Sequence, residues 1–421
     1  MRILYNIFFV IFSVAYIPCL LIKGKWHKGF FQKFGILPDK VTSPERPVWI
    51  HAVSVGEAVL AVRLAGDIKR KYPDVPVVIS TTTATGNKIV RSAADRAVDA
   101  AFYYPLDIGF IVARVVRAIR PRVYVMVETE LWPNILTELK NKGIPVVLAN
   151  GRISDNSFRN YSVIRPIIKN VLKCIDLFCM QTQADAERIR QLGALSGKVC
   201  VSGNMKFCGH ESDSSLGLKR EALGFTEKDS IIVAGSTHYP EEKELVDIFM
   251  RLGKKQENLK LVIAPRHVER TGEILKYIEK QDKRVRLFSK VSNDPGCGDY
   301  DILIVDTIGS LKNIYAAADI VFIGGSIAKR GGQNPIEAAR WGKTVIFGPH
   351  MFNFREMKDV FLENSAAIQV SDAKELERVM SDLLGNSEKL EKVSSNIEKV
   401  ISENSGAVEK TLGLLDGYIR G

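Results

Sequence analysis

Carboxylates stand at two places in the first half of the chain where a strand-like run gives way to helix-like sequence. In "PVWIHAVSVGEAVLAV", residues 47–62, the apolar run ends in Ser54-Val55-Gly56-Glu57. In "VMVETELWPNI" it ends in Glu128 and Glu130, just before Trp132-Pro133. A carboxyl group at a strand end is placed to take a proton from a hydroxyl, and burial or a carboxylate neighbour raises its pKa toward working pH. Glu128 and Glu130 can equally begin a helix as acids that complement its dipole. The hydroxyl-rich "STTTATGNK" (80–88) and the "GNMK" that carries Lys206 lie in the same half.

The second half carries residues suited to phosphate. Gly235-Ser236-Thr237-His238 follows "IIVA" and leads into an acid-rich helix start at Pro240; such a turn offers backbone N–H groups to an anion, or is a simple cap. Pro265-Arg266-His267 follows "LVIA", and a guanidinium there suits bidentate contact with phosphate or carboxylate. Ile308-Gly309-Ser310 follows "ILIVDT" in the same way. In "FIGGSIAKRGGQNPIEAARWGK" (322–343), glycine pairs including Gly325 bracket Ser326, Lys329 and Arg330, and Asn334-Pro335-Ile336-Glu337 opens a helix. Glycines permit close backbone approach, and Glu337 is placed to accept two ribose hydroxyls or to complement the dipole of its helix.

The elements that must position these groups follow from periodicity. "VWIHAV", "VPVVIS", "RVYVMV", "IPVVLA", "DLFCMQ" and "KVCVSG" read as buried parallel strands alternating with amphipathic stretches. After a polar stretch the pattern restarts with "SIIVAGS", "LKLVIAP", "YDILIV", "DIVFIGG" and "KTVIFG". The expected fold is α/β, with two doubly wound domains: residues 23–205, a linker at 206–229, and 230–421, whose last helix can cross back to the first domain. Ligands bind open sheets of this kind at the carboxyl ends of the strands, so the two domains are expected to face one cleft.

Residues 3–22 contain no charge, the length needed to cross a bilayer, and Lys23, Lys25, Lys28 and Lys33 follow. A membrane anchor over residues 1–22, with the rest of the protein in the cytoplasm, is expected from the positive-inside rule; a helix lying in one leaflet and a cleaved signal are the alternatives. Net charge is +11, unevenly spread. Residues 1–205 carry 28 Lys and Arg against 15 Asp and Glu, and the remainder 31 against 33. One-sided charge predicts an anionic partner for the first half: nucleic acid, acidic lipid or a phosphorylated substrate. The six cysteines show no CxxC pairing, which disfavours a disulfide scaffold or a zinc site and fits a reducing compartment.

Several motifs are absent or poor. "WGKT" (341–344) has glutamate at 337 where a P-loop has its first glycine and leads into a strand, and no GxGxxG follows a strand. Asp299-Tyr300-Asp301 has the form of a metal-binding DxD but sits after two glycines like a surface turn, and no histidines stand at ligand spacing.

Taken in order behind an apolar segment, "HAVSVGE", "ETELWPN", "GNMKF", "GSTH", "APRH", "GGQNPIE" and "FGPHMFNF" resemble the 3-deoxy-D-manno-octulosonic acid (Kdo) transferases of lipopolysaccharide synthesis over nearly the whole chain. The resemblance implies a GT-B glycosyltransferase in the inner membrane that moves Kdo from CMP-Kdo to the tetraacylated lipid A precursor, with inversion and without a metal or other cofactor. It implies Glu57 as general base, with Glu128 and Glu130 beside it. CMP would be held by Pro265, Arg266, Ile308 to Ser310 and Asn334 to Glu337. Lys206, Ser236, Thr237, His267, Gly325 and Ser326 are candidate phosphate or Kdo contacts. Its partners would be CMP-Kdo, the lipid A precursor and the anionic membrane surface, with no nucleic acid. Gln333 and Ser310 depart from the family's usual histidine and glutamate. The alternatives are another GT-B nucleotide-sugar enzyme, such as an epimerase, or a membrane-tethered nucleotide-sugar binder without activity.

Overall fold

A computed structural model describes residues 29–93, 97–207, 217–281, 283–291 and 300–420. The expected anchor over residues 1–22 lies outside them, as does Asp299. No described helix is long and apolar enough to cross a membrane. The chain forms two compact units, one taking the chain through Cys208 and again from Asn404 onward, the other Gly209–Glu403.

The first unit is a seven-stranded sheet: β1 (Val48–Ala52), β2 (Val77–Thr81), β3 (Ala100–Tyr103), β4 (Val123–Val127), β5 (Val146–Gly151), β6 (Leu177–Met180) and β7 (Val199–Val201). Their order is β3-β2-β1-β4-β5-β6-β7, with every pairing parallel. Because successive side chains point to opposite faces, a strand covered on both faces is apolar throughout. In β1, Trp49 packs with Phe102, Tyr124 and the helices Gly109–Ile119 and Pro133–Asn141. Its neighbours Val48 and Ile50 pack with the helix Val55–Lys71 on the other face. That second face is completed by Ala407–Arg420, which contributes Leu412, Leu415 and Ile419 after the whole second unit has intervened. Chain order reverses between β1 and β4, so the crevice at their carboxyl ends is where a ligand is expected.

The second unit is built alike from β8 (Ser230–Thr237), β9 (Leu259–Pro265), β10 (Val285–Leu287), β11 (Ile302–Ile304), β12 (Ile320–Ile323), β13 (Thr344–Phe347) and β14 (Ile368–Gln369). The order is β10-β11-β9-β8-β12-β13-β14, again all parallel. The stretch read as a linker is in large part structure of this unit. Arg220 donates to the Asp229 carbonyl and pairs with Asp319 at 2.6 Å, while the Phe225 ring packs tilted against Tyr300 with centroids 5.3 Å apart. A polar sequence without strand periodicity is here a packed 3-10 turn, Arg220–Leu223.

His51 in β1 is wholly buried, stacked on Tyr104 with ring centroids 3.7 Å apart, and its Nδ1 lies 3.0 Å from Ser80 Oγ. Burial lowers its pKa to about 3, so the ring is neutral in the fold. Between pH 6.5 and about 3 the unfolded chain binds a proton that the folded chain refuses. The residue's contribution to stability is therefore full above pH 6.5 and is lost as pH falls, at up to about 1.4 kcal/mol per pH unit. Replacing it by His51→Gln should flatten the acid side of a stability-versus-pH curve, measured by urea unfolding between pH 7 and 4.

Candidate active site

At the β1–β4 crevice the sequence builds a carboxylate cluster from two strand ends. Ser54 caps the helix Val55–Lys71, accepting the Glu57 N–H at 3.3 Å. Glu57 returns the contact: its Oε2 accepts the Val53 N–H at 2.8 Å and its Oε1 the Ser54 N–H at 3.1 Å. This is a capping box, and it holds a buried carboxylate rigidly at the strand end. Glu128 follows β4 with a left-handed φ of 60°, a conformation that costs energy for a residue with a side chain. Its carboxylate pairs with Lys206 at 2.6 Å. Lys206 is delivered by the segment after β7, where buried Asn150, also at positive φ, accepts the Met205 N–H. Glu130 completes the group. Burial first, then the charges of Glu57 and Glu128, raise its pKa to about 7. The carboxyl poised near neutrality is thus Glu130, two residues beyond Glu128.

In the second unit, a pocket of about 300 Å³ at the ends of β8, β9 and β11 is lined by Ser236, Pro265, Arg266, Ile308, Gly309, Lys312 and Glu337. Ser236 is a β-bulge residue at φ 54°, where the register of β8 on β9 shifts. The loop after β12 lies directly against this bulge: a Cβ on Gly324 would come within 2.4 Å of the Ser236 carbonyl oxygen. Asn334 donates to Glu337 at 3.3 Å and accepts the Ile336 N–H at 3.1 Å, fixing the acid at the pocket wall. Burial raises the Glu337 pKa, against the opposing effects of Asn334, Arg340, Lys312 and Arg266. Ser310 sits behind the pocket, its hydroxyl 2.8 Å from Thr307 Oγ1. His267 lines a separate pocket of about 310 Å³ with His238, Tyr239, Arg270 and Arg330.

Some expected contacts are placed otherwise. Ser326 is wholly buried; its hydroxyl donates to the Ile323 carbonyl and accepts the Gly348 N–H, so it braces two strand ends and does not reach a ligand. Thr237, Pro335 and Ile336 are buried too, leaving Ser236 to present that turn and Glu337 its helix. The Gly325 N–H is taken by Glu241. Lys206 belongs to the first unit and engages Glu128. Of the DxD, Tyr300 is buried with its hydroxyl donating to the Leu223 carbonyl, and Asp301 faces Arg284. Among the described residues no group of three or more His, Cys, Asp or Glu side chains could hold a metal ion.

Sequence reasoning missed Glu241. It reads as one of several acids opening a helix, yet it is 1% exposed and accepts four backbone N–H groups. Oε2 takes those of His238 (2.9 Å) and Gly325 (2.8 Å), and Oε1 those of Ile327 (3.0 Å) and Ala328 (3.1 Å). One carboxylate thereby ties the turn after β8 to the loop after β12. Lys312, two residues after Ser310, was missed as well, and its place in the helix that leaves the pocket was its signal.

Two parallel-sheet α/β units of this kind resemble those of the GT-B class of glycosyltransferases. The fold is shared with a putative UDP-N-acetylglucosamine 2-epimerase from Listeria monocytogenes, 12% identical, with a TM-score of 0.52 over 89% of this chain and 96% of that one. Sequence narrows the class. Residues 28–208 match the family model of 3-deoxy-D-manno-octulosonic-acid transferase (kdotransferase). The 3-deoxy-D-manno-octulosonic acid transferase of Haemophilus influenzae is 30% identical over 412 residues, covering 96% of this chain and 95% of that protein. That of Chlamydophila psittaci is 29% identical over 423 residues, covering 99% and 96%. The chain belongs to the 3-deoxy-D-manno-octulosonic-acid transferase family of glycosyltransferases.

Glu241→Ala should destabilise the second unit by about 3 kcal/mol, since buried N–H groups lose a charged acceptor. In hydrogen exchange the amides of Gly325, Ile327 and Ala328 should lose protection first, while those of β1 keep theirs.

Proposed function

We propose that the protein transfers Kdo from CMP-Kdo to a hydroxyl of the tetraacylated lipid A precursor, with inversion and without a metal, at the cytoplasmic face of the inner membrane. The observation that carries the reading is the division of chemistry between the units. The first holds three carboxylates at its switch point, and the second holds a cationic pocket with a fixed acid, suited to a nucleotide monophosphate and its ribose. Glu57 acts as the base. Each of its oxygens keeps a lone pair after accepting a backbone N–H, and the capping box fixes its direction. Glu130 sits within reach of its charge and shares the proton load near neutral pH. The leaving CMP is met by Arg266 and Lys312, whose charges are suited to phosphate.

Membrane contact is the first unit's task in this reading. Its excess of positive charge suits an anionic surface and a phosphorylated lipid. The short helices Asp155–Val163 and Arg165–Leu172 expose Val163, Ile164 and Ile167 beside Arg165, Lys169 and Lys173. Apolar side chains fringed by cations are the composition of an interfacial surface.

The direct test is to mix CMP-Kdo with the lipid A precursor and to follow CMP release and product mass. Glu57→Gln should slow transfer by a factor of about 10² or more while sparing CMP-Kdo binding. Because glutamine turns one acceptor into a donor facing an N–H, its unfolding should be measured alongside. If Glu130 works ionised, the parent rate falls as pH drops through about 7, and Glu130→Gln is slow at every pH. A Glu130→Gln enzyme that keeps both the rate and the acid limb removes Glu130 from proton handling. EDTA should leave the rate unchanged; complete loss restored by Mg²⁺ or Mn²⁺ would overturn metal independence.

A further inference from the structure

The amino edge of the first sheet, opposite the carboxylate cluster, carries a second set of charges that the transfer reaction leaves unused. At two strand junctions there, a carboxylate accepts a strand-start N–H and is neutralised by lysine. Asp99 accepts the Val77 N–H and pairs with Lys69; Asp176 accepts the Val146 N–H and pairs with Lys140 and Lys198. The β1–β4 junction reverses this chemistry. Arg46, Arg117, Arg120, Arg122 and Lys142 surround a concavity of about 690 Å³ there, with Glu45 the one acid in its lining.

Three observations make this more than surface charge. Arg46 and Arg120 hold left-handed φ angles of 44° and 47°, which arginine adopts at a cost and glycine would adopt freely. Arg122 is drawn partly out of solvent. Its Nε donates to the Arg46 carbonyl at 2.6 Å and its Nη1 to the Ile419 carbonyl at 2.7 Å, and burial, with Arg46's charge, lowers its pKa. Finally, the ends of the helices Gly109–Ile119 and Pro133–Asn141 supply about half a negative charge each. With Glu45 these leave about three positive charges unbalanced.

We infer that this concavity is a second anion site, for a ligand bearing two phosphate groups. Guanidinium forks favour phosphate oxygens, the volume lies in the range of small-ligand pockets, and a charge of about minus three would balance the lining. A soluble diphosphate and a diphosphate lipid head group share this chemistry.

The test uses the full-length protein, with inorganic pyrophosphate in calorimetry as the soluble probe and vesicles of phosphatidylcholine with and without cardiolipin as the lipid probe. Arg46→Gly/Arg120→Gly removes two charges and the backbone strain together, and keeps the carbonyl that Arg122 uses. It should melt at or above the parent's temperature and yet bind the probe about a hundredfold more weakly, tenfold for each guanidinium. Arg117→Ala, at an ordinary helical position in Gly109–Ile119, should cost about tenfold. Lys254→Ala/Lys255→Ala, the same change of charge in the second unit, should cost nothing. Pyrophosphate taken up elsewhere cancels in each difference. Loss confined to pyrophosphate identifies a soluble ligand, and loss confined to the cardiolipin-dependent part of vesicle binding identifies a head group. If the arginine variants match the parent with both probes, the site does not exist.

Discussion

Every described strand of this protein runs parallel to its neighbours, and that one constraint governs the rest. Parallel strands cannot be joined by tight turns; each needs a crossover, and these crossovers are mostly helical. All carboxyl ends therefore gather on one edge of a sheet, together with the helix starts and their unpaired N–H groups. That edge attracts carboxylates and phosphates, and the opposite edge collects helix ends and the cations that suit them. The capping box of Ser54 and Glu57, the four N–H groups on Glu241 and the arginines before β1 and β4 are three local results of the same arrangement.

The carboxylate cluster shows how structural and chemical roles coincide. Glu57 satisfies the backbone of its own helix start, which fixes where its charge lies, and that fixed charge helps to push Glu130 toward neutrality. Glu128 is ion-paired and helps less. Three acids thus differ in what their oxygens contact, and the difference comes from backbone amides and one lysine rather than from distance along the chain.

Much of this was legible. The runs that became β1, β2, β4, β5, β6, β8, β9, β11, β12 and β13 are continuous and apolar, and burial on both faces leaves them no other composition. β3 escaped because Ala100-Ala101 carries little apolar signal, and β10 because its three residues are only half buried. The acids and the glycine-rich loop were found because they end strands. Ser54-x-x-Glu57 also spells a capping box, a reading available from four residues. Glu241 was hidden: its four donors come from residues 238 and 325–328, and no local pattern announces a contact across some 85 positions. Ser326 misled for the converse reason, since a serine between glycines has the same spelling whether it meets a ligand or a neighbouring strand.

The return of Ala407–Arg420 to the first unit makes the second unit an insertion within it. Asn404 meets the Asn204 N–H, Asp416 meets Lys71, and the Ile419 carbonyl meets Arg122, so the closing helix is stitched to residues made long before it. On the ribosome, at about 5–20 residues per second, the intervening stretch of about 195 residues takes roughly 10–40 seconds to make. For that interval one face of the first sheet is without the helix that brings Leu412, Leu415 and Ile419, while the second unit, continuous in sequence, has everything its own core requires. Birth order and completion order are therefore inverted: the unit that emerges first is finished after the second, and the nascent chain must keep an apolar face from its neighbours until Ala407–Arg420 arrives.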